Sequence, residues 1–216
     1  MNIFKNLKIT TARWWIFASL SIIIGLYPII YFIIDRRFGL LFNKTPELLA
    51  SPLWNISFYA HITLGGVSLL IGWLQFSKKL RQNRPKLHRN IGKIYFTAVL
   101  VSSVAGLYVA LFATGGAITA TGFISLALIW FYTTLMGLVS IRNGDVTKHQ
   151  SMLTFSYAAT FAAVSLRLWL PILIAITGDF IPAYKMVAWL CWVPNLLIAY
   201  QINTHRINKQ AAAVNA

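Results

Sequence analysis

The sequence predicts an all-α integral membrane protein, a single domain over residues 1–216 that forms a bundle of six transmembrane helices. Hydrophobic residues make up 58% of the chain and charged residues 11%, whereas an ordinary soluble domain has roughly 45–50% and about 25%. The apolar residues also fall in long runs without charge. Several of these runs are long enough to cross a hydrocarbon core of about 30 Å as a helix.

Six segments are predicted to span the membrane. The uncharged stretch from Ile94 to Ile141 is too long for one helix, and the turn formers around Gly115 and Gly116 divide it into a hairpin. The fifth segment is interrupted only by Arg167. The predicted spans are residues 14–34, 54–77, 91–113, 118–141, 150–176 and 185–204.

The basic residues predict the orientation and explain the net charge of +15. With the N-terminus inside, the inner segments hold 14 Lys and Arg and the outer segments hold four, Arg36, Arg37, Lys44 and Lys185. Positive loops stay on the cytoplasmic side, so both termini are predicted to be cytoplasmic in a multi-pass protein of the cell membrane. Membrane lipids are the predicted partners of this charge, and nucleic acid is not expected.

Two kinds of chemistry are excluded by the residue inventory. Cys191 is the only cysteine, which excludes an internal disulfide, a cysteine zinc site and an iron–sulfur cluster held by this chain alone. The four acidic residues all lie in predicted loops, so the spans offer no pair of carboxylates for hydrolysis.

A stripe of small and polar residues runs along the second span. Its members recur at steps of three and four, which places them on one helix face: His61, Gly65, Ser68, Gly72 and Gln75. We expect this face to pack inward. Close helix packing is one explanation of the stripe, but His61 and Gln75 exceed what packing requires and are candidate ligand-binding residues.

Two further histidines lie at the predicted cytoplasmic surface. His88 and Arg89 begin the third span, and His149 begins the fifth. The two histidines are at the same depth on different helices, and we expect them to approach one another. His205, at the end of the sixth span, is most simply an interfacial residue.

These residues together resemble a known family. The pattern is an isolated His on the second span, His88-Arg89-x-x-Gly92-x-x-Tyr95, His149-x-x-Met152 and Leu166-Arg167-Leu168. Over roughly residues 54–175 the chain resembles bacterial multi-pass membrane proteins catalogued only as a predicted membrane family of unknown function.

More distantly, the chain is similar to the haem-binding transmembrane cytochromes b. That similarity implies His88 and His149 as axial ligands of one b-type haem, a metal site at the inner surface, with basic residues such as Arg89 at the propionates. No second, outer haem is implied, since His61 has no histidine partner on the fourth span.

Arg167 and His61 are predicted to share a depth in the outer half of the membrane, and no span supplies a carboxylate to balance the arginine. Arg167 could snorkel past Pro171 to the outer head groups. Our preferred hypothesis is an inward Arg167 that, with His61, holds the oxygen of a bound ligand. It predicts an outer-half pocket between the second and fifth spans, lined by His61, Gly65 and Arg167.

Three functions are consistent with these residues. The first is a redox component that binds haem b or quinone through the His and Arg side chains. The second is a transporter, or a binding protein for an anionic lipid or small amphiphile. The third is a non-catalytic subunit that assembles with a membrane-protein partner.

Overall fold

The computed structural model describes residues 3–34 and 38–214, and the secondary structure of these residues is helical, without strands. Six helices of this part of the chain are long and apolar enough to cross a membrane. The predicted all-α class and the six spans are therefore confirmed.

The helices in chain order are α1 (Ile3–Leu26), α2 (Ile30–Ile33), α3 (Pro46–Ala50), α4 (Pro52–Gly72), α5 (Lys78–Asn83), α6 (Pro85–Ala110), α7 (Ala117–Arg142), α8 (Val146–Thr160), α9 (Ala162–Thr177), α10 (Phe180–Leu190) and α11 (Val193–Val214). The six spans that they build are span 1 (Trp14–Ile33), span 2 (Pro52–Phe76), span 3 (Pro85–Ala110), span 4 (Ala117–Arg142), span 5 (Val146–Thr177) and span 6 (Phe180–Ala212).

Local signals place the helix ends. The Oγ of Ser51 accepts a hydrogen bond from the backbone N–H of Trp54 at 3.4 Å, which caps α4. Pro85 begins α6, as proline commonly does in a first helical turn. Span 3 therefore begins six residues before the predicted residue 91, and His88 and Arg89 lie on the helix itself.

The predicted turn between spans 3 and 4 is present. Gly115 and Gly116 have φ angles of 100° and 79°, a backbone conformation that side chains other than hydrogen strongly disfavour. We call the end of the bundle with this turn the outer end. The opposite end, where span 2 ends and spans 3 and 5 begin, is the inner end; its cytoplasmic location stays a prediction.

The spans pack largely as neighbours in sequence. Span 2 contacts spans 1 and 3, span 3 contacts span 4, and span 4 contacts the first half of span 5. The halves of span 6 separate at Cys191 and Trp192, directly before Pro194, whose missing N–H cannot continue the α-helical bonding. As a result, α10 packs on α9 and span 4, and α11 packs on α8.

A hydrogen-bonded group of hydroxyls joins spans 3, 4 and 5 inside the bundle. The Tyr95 hydroxyl lies 2.8 Å from the Oγ of Ser156 and 3.0 Å from the Oγ1 of Thr160. Trp130 Nε1 donates to Thr160 Oγ1 at 2.9 Å, and Thr134 Oγ1 lies 2.7 Å from Ser156 Oγ. These groups satisfy one another where water is excluded, which orients three helices around the space described next.

Candidate ligand site

A cavity of about 220 Å³ lies toward the outer end of the bundle, and residues of all six spans line it. One water molecule needs only roughly 10–15 Å³ of such space, so the cavity has room for an organic group. His61, Gly65 and Arg167 are on its wall, so the predicted pocket is present. Most of the remaining wall is apolar and includes the aromatic side chains Tyr31, Trp54, Phe58, Phe123, Trp130 and Tyr184.

His61 is held in one orientation by span 3. Its Nδ1 lies 2.9 Å from the backbone oxygen of Ser102, while the Ser102 hydroxyl donates to the His61 backbone oxygen at 2.8 Å. A carbonyl oxygen can only accept, so Nδ1 carries the proton and the neutral ring has its lone pair on Nε2. Among the described residues Nε2 has no hydrogen-bond partner, which leaves it available to a molecule in the cavity.

Gly106 makes room for this histidine. A Cβ at Gly106 would lie 2.5 Å from His61 Nδ1, well inside van der Waals contact. The ring of Trp130 meets the His61 ring edge-on, with 6.4 Å between the centroids. The backbone of span 3 and the indole of span 4 therefore fix the imidazole between them.

Arg167 points inward and lines the cavity. Its guanidinium carbon lies 4.3 Å from the centre of the Tyr27 ring, and its Nη1 donates to the Ala163 backbone oxygen at 2.8 Å. Aromatic and carbonyl groups thus stabilise a charge that lacks a carboxylate partner in the described residues. The Nε of Arg167 is buried without a hydrogen-bond partner, so the guanidinium retains a donor for a further group.

The cavity has two more hydrogen-bond donors that were not predicted to belong to a site. The indole Nε1 of Trp54 is buried without a hydrogen-bond partner, and Lys44 lies at the outer end. Lys44 Nζ donates to the Phe112 backbone oxygen and to Thr114 Oγ1. Burial lowers the pKa of Lys44 to about 8, because desolvation disfavours the charged amine.

His61 and Arg167 line the same space. They present complementary groups to it: Nε2 of the histidine accepts a hydrogen bond, whereas the guanidinium donates. An occupant with two oxygen atoms could use both groups.

The other predicted site residues lie at the inner end and do not line this cavity. His149 Nδ1 donates to the Gly137 backbone oxygen at 2.8 Å, leaving its Nε2 without a partner among the described residues. His88 interacts electrostatically with His149 and with the exposed Arg89, and its buried Nδ1 has no hydrogen-bond partner. The amide Nε2 of Gln75 is likewise buried and unpartnered. His88 and His149 thus lie at the same end of the bundle, and their close approach, like a haem between them, stays a prediction.

Several residues that line or support the cavity were not predicted, and the reason can be given for each. Ser102 and Gly106 lie on span 3, and no sequence pattern linked them to His61 on another helix. Lys44 was counted only as an outer loop charge. Tyr27 was one of many aromatic residues that suit a membrane interface, and no sequence signal pairs it with Arg167.

These features define a class: an integral membrane protein with six spans and an internal, largely apolar cavity that carries an inward arginine and an oriented histidine. A family model described as a predicted membrane protein (DUF2306) matches residues 58–202. The chain belongs to this family, whose description gives no activity. The matched part contains both His61 and Arg167. No curated protein and no solved structure matches the chain.

Proposed function

We propose that this protein is a membrane redox component that binds a quinone or quinol in the outer cavity through His61 and Arg167. The observation that carries the proposal is the placement of a histidine lone pair and an arginine donor on one apolar cavity. A quinone-type head group is a flat ring with oxygen atoms on opposite sides. In its quinol form it offers a hydroxyl to His61 and an oxygen to Arg167, and its ring suits the aromatic wall.

The aromatic side chains of the cavity wall are better suited to contact a rigid ring than a flexible hydrocarbon chain. Phe58 and Trp54 stack with ring centroids 5.1 Å apart and planes 9° apart, and Trp130 stands edge-on to His61. Such surfaces favour offset or edge contacts with a further ring. The exposed apolar side chains of the spans provide a lipid-facing exterior, from which a hydrophobic molecule can reach the protein.

The polar groups suit the two oxidation states of such a ring. The Nε2 of His61 accepts a hydrogen bond from a quinol hydroxyl and is positioned to take its proton. Arg167 donates to the other oxygen, where it stabilises negative charge. His88 and His149 are the proposed haem b ligands at the inner end, and a haem there would supply an electron acceptor.

A binding protein for an anionic amphiphile is the second candidate. Lys44 and Arg167 place two cationic groups on the cavity, and no carboxylate of the described residues lines it. A carboxylate or phosphate head group would balance them. If this candidate is correct, the site selects ligands by their negative charge and hydrocarbon chain. If the quinone proposal is correct, the site selects ligands by their aromatic or quinoid ring.

Tryptophan fluorescence tests the proposal, because Trp54 and Trp130 line the cavity and quinones quench indole emission. The full chain in nanodiscs is titrated with a short-chain ubiquinone or menaquinone analogue. Saturable quenching is expected. Arg167→Gln should weaken binding of the quinone analogue about tenfold or more, since it removes a hydrogen bond in a desolvated site. His61→Gln should weaken competition by the corresponding quinol to a similar degree, because Nε2 accepts a hydrogen bond only from the quinol hydroxyl.

Matched controls separate binding from folding. His205→Gln and Arg142→Gln remove the same groups from exposed positions and should leave quenching unchanged. Arg167→Gln should not lower the melting temperature much, because it also removes an unbalanced charge from the membrane interior. Unsaturable quenching in the wild type, or equal affinity in all four variants, would refute the proposal. Displacement by a fatty acid but not by quinol would favour the second candidate.

A further inference from the structure

Several buried polar atoms at the inner end have no hydrogen-bond partner. Among them are Gln75 Nε2 at the end of span 2, His88 Nδ1 at the start of span 3 and Arg206 Nε on α11. A buried donor without an acceptor is costly, and such groups are normally satisfied. Their occurrence at one end of the bundle calls for an acceptor that comes from outside the chain.

Arg81 connects these residues. Its Nη1 donates to the Gln75 backbone oxygen at 3.2 Å. Arg81 also lies near enough to His88 and to Arg206 for their positive charges to repel one another. The side chain of Arg81 is exposed, so the group is open to the inner surface on one side and buried on the other.

Arg206 is held firmly while its Nε stays free. Its Nη2 donates to the Ser151 hydroxyl at 3.2 Å and to the amide oxygen of Asn203. The Asn203 amide in turn donates to the Ser151 backbone oxygen at 3.1 Å, and Asn203 is 4% exposed. A buried scaffold on spans 5 and 6 therefore positions the guanidinium in advance of any ligand.

The charge at this end is not balanced within the described residues. Asp145 is the described carboxylate on the inner side, and its Oδ1 caps α8 by accepting from the Lys148 backbone N–H at 2.8 Å. Glu47 and Asp179 lie in segments of the outer side. Arg81 and Arg206, with Arg89 near His88, therefore have no carboxylate partner among the described residues of this end.

From this arrangement we propose that the inner end binds a phosphate group, between Gln75, Arg81 and Arg206. Phosphate has several acceptor oxygens and negative charge, and guanidinium groups bind it through two parallel hydrogen bonds. The free Nε of Arg206 and Nε2 of Gln75 donate to it, and Arg81 closes the exposed side. The phosphate comes either from the head group of an anionic lipid or from solution. This site is separate from the outer cavity and does not depend on the function proposed for it.

The test measures phosphate binding by the full chain in detergent. Native mass spectrometry compares retention of phosphatidic acid and phosphatidylcholine, and thermal unfolding compares sodium phosphate with sodium chloride at equal ionic strength. Gln75→Met and Arg206→Gln are each expected to reduce phosphate affinity about tenfold. Gln75→Met breaks no side-chain hydrogen bond that the described residues make, so a purely structural role predicts no change in binding. Arg142→Gln, an exposed arginine of the same end, is the control.

Selective retention of phosphatidic acid that both variants lose supports the site and assigns it to lipid. A rise in melting temperature with inorganic phosphate, lost in both variants, supports it and assigns it to soluble phosphate. Retention or stabilisation that is equal in wild type, Gln75→Met and Arg206→Gln would overturn the proposal. So would a haem spectrum that disappears in the Arg206 variant, because haem propionates would then be the occupant.

Discussion

The two ends of the bundle present positive charge in different ways. In the outer half Arg167 lies over the Tyr27 ring beside a mostly apolar cavity. At the inner end Arg81 and Arg206 lie close to the surface, supported by polar side chains and backbone oxygens. The outer site therefore has room for a whole molecular group, whereas the inner one offers donors to a compact anion.

This difference shows that charge alone does not define what a membrane protein binds. An isolated cation inside a membrane is costly, and its stabilisation by a ring and a carbonyl leaves the neighbouring space apolar. Several cations at an interface cost less because water and head groups reach them. The following experiments alter the outer cavity while they leave the inner site intact.

The largest effect is expected from Gly106→Val. Even a Cβ at this position would lie 2.5 Å from His61 Nδ1, and overpacking of this kind costs about 1–3 kcal/mol. We expect the imidazole to be displaced from Ser102, with loss of measurable ligand quenching in the outer cavity and a lower melting temperature. Phosphate binding at the inner end should persist.

Gly92→Ala is the matched control on the same span. The nearest atom to a Cβ there is Gln75 Oε1 at 3.8 Å, an ordinary contact. Both sites should survive this change. Normal outer-cavity binding by Gly106→Val would show that the orientation of His61 does not matter for the ligand.

A smaller and pH-dependent effect is expected at Lys44. Its pKa is lowered to about 8 by burial, so the amine is charged below about pH 8 and neutral above it. Affinity for a fatty-acid probe should therefore fall as the pH rises through 8, and Lys44→Gln should remove this dependence. A neutral quinone analogue should show little change over the same range. A fatty-acid titration that is flat in the wild type would exclude Lys44 from the site.

The same pKa shift predicts a change in stability. Between about pH 8 and the ordinary value of 10.5 the unfolded chain holds the Lys44 proton while the folded chain has released it. The contribution of Lys44 to the free energy of unfolding therefore rises with pH over this interval. Thermal melts of wild type and Lys44→Gln at both ends of the interval measure it.

The smallest effect is expected at Tyr27. Tyr27→Leu removes the ring that lies 4.3 Å from the Arg167 guanidinium carbon, an interaction worth about 0.5–2 kcal/mol. Outer-cavity affinity should fall several-fold because the guanidinium loses its orientation. Tyr27→Phe keeps the ring and should bind normally. Equal loss in both variants would assign the effect to the hydroxyl rather than to the ring.

The fold and part of the site followed from the sequence. Long uncharged runs predicted six spans, and the steps of three and four on span 2 predicted its inward face. The depth argument for His61 and Arg167 worked because helical rise per residue is constant. It needed no knowledge of which helices are neighbours.

The remaining contacts could not be predicted because they depend on how helices pack. The bond from His61 to Ser102 crosses from span 2 to span 3, and the pairing of Tyr27 with Arg167 crosses from span 1 to span 5. The start of span 3 at Pro85 was missed because the predicted span began after Arg89, at the edge of the basic segment, whereas a helix can continue past charged residues into water. Arg206 was assigned no role, since its partners Ser151 and Asn203 come together only in the folded bundle.

The hydrogen bond from His61 Nδ1 to the Ser102 carbonyl has a consequence for redox selectivity. It leaves Nε2 as an acceptor in the neutral ring. A quinol offers this atom an O–H, whereas a quinone offers it only another lone pair. If the occupant is the proposed quinone, it would be held more tightly in its reduced form, and its midpoint potential in the cavity would be raised relative to the membrane pool. A shift of that potential toward the pool value in His61→Gln would measure how strongly one backbone carbonyl sets the direction of electron flow.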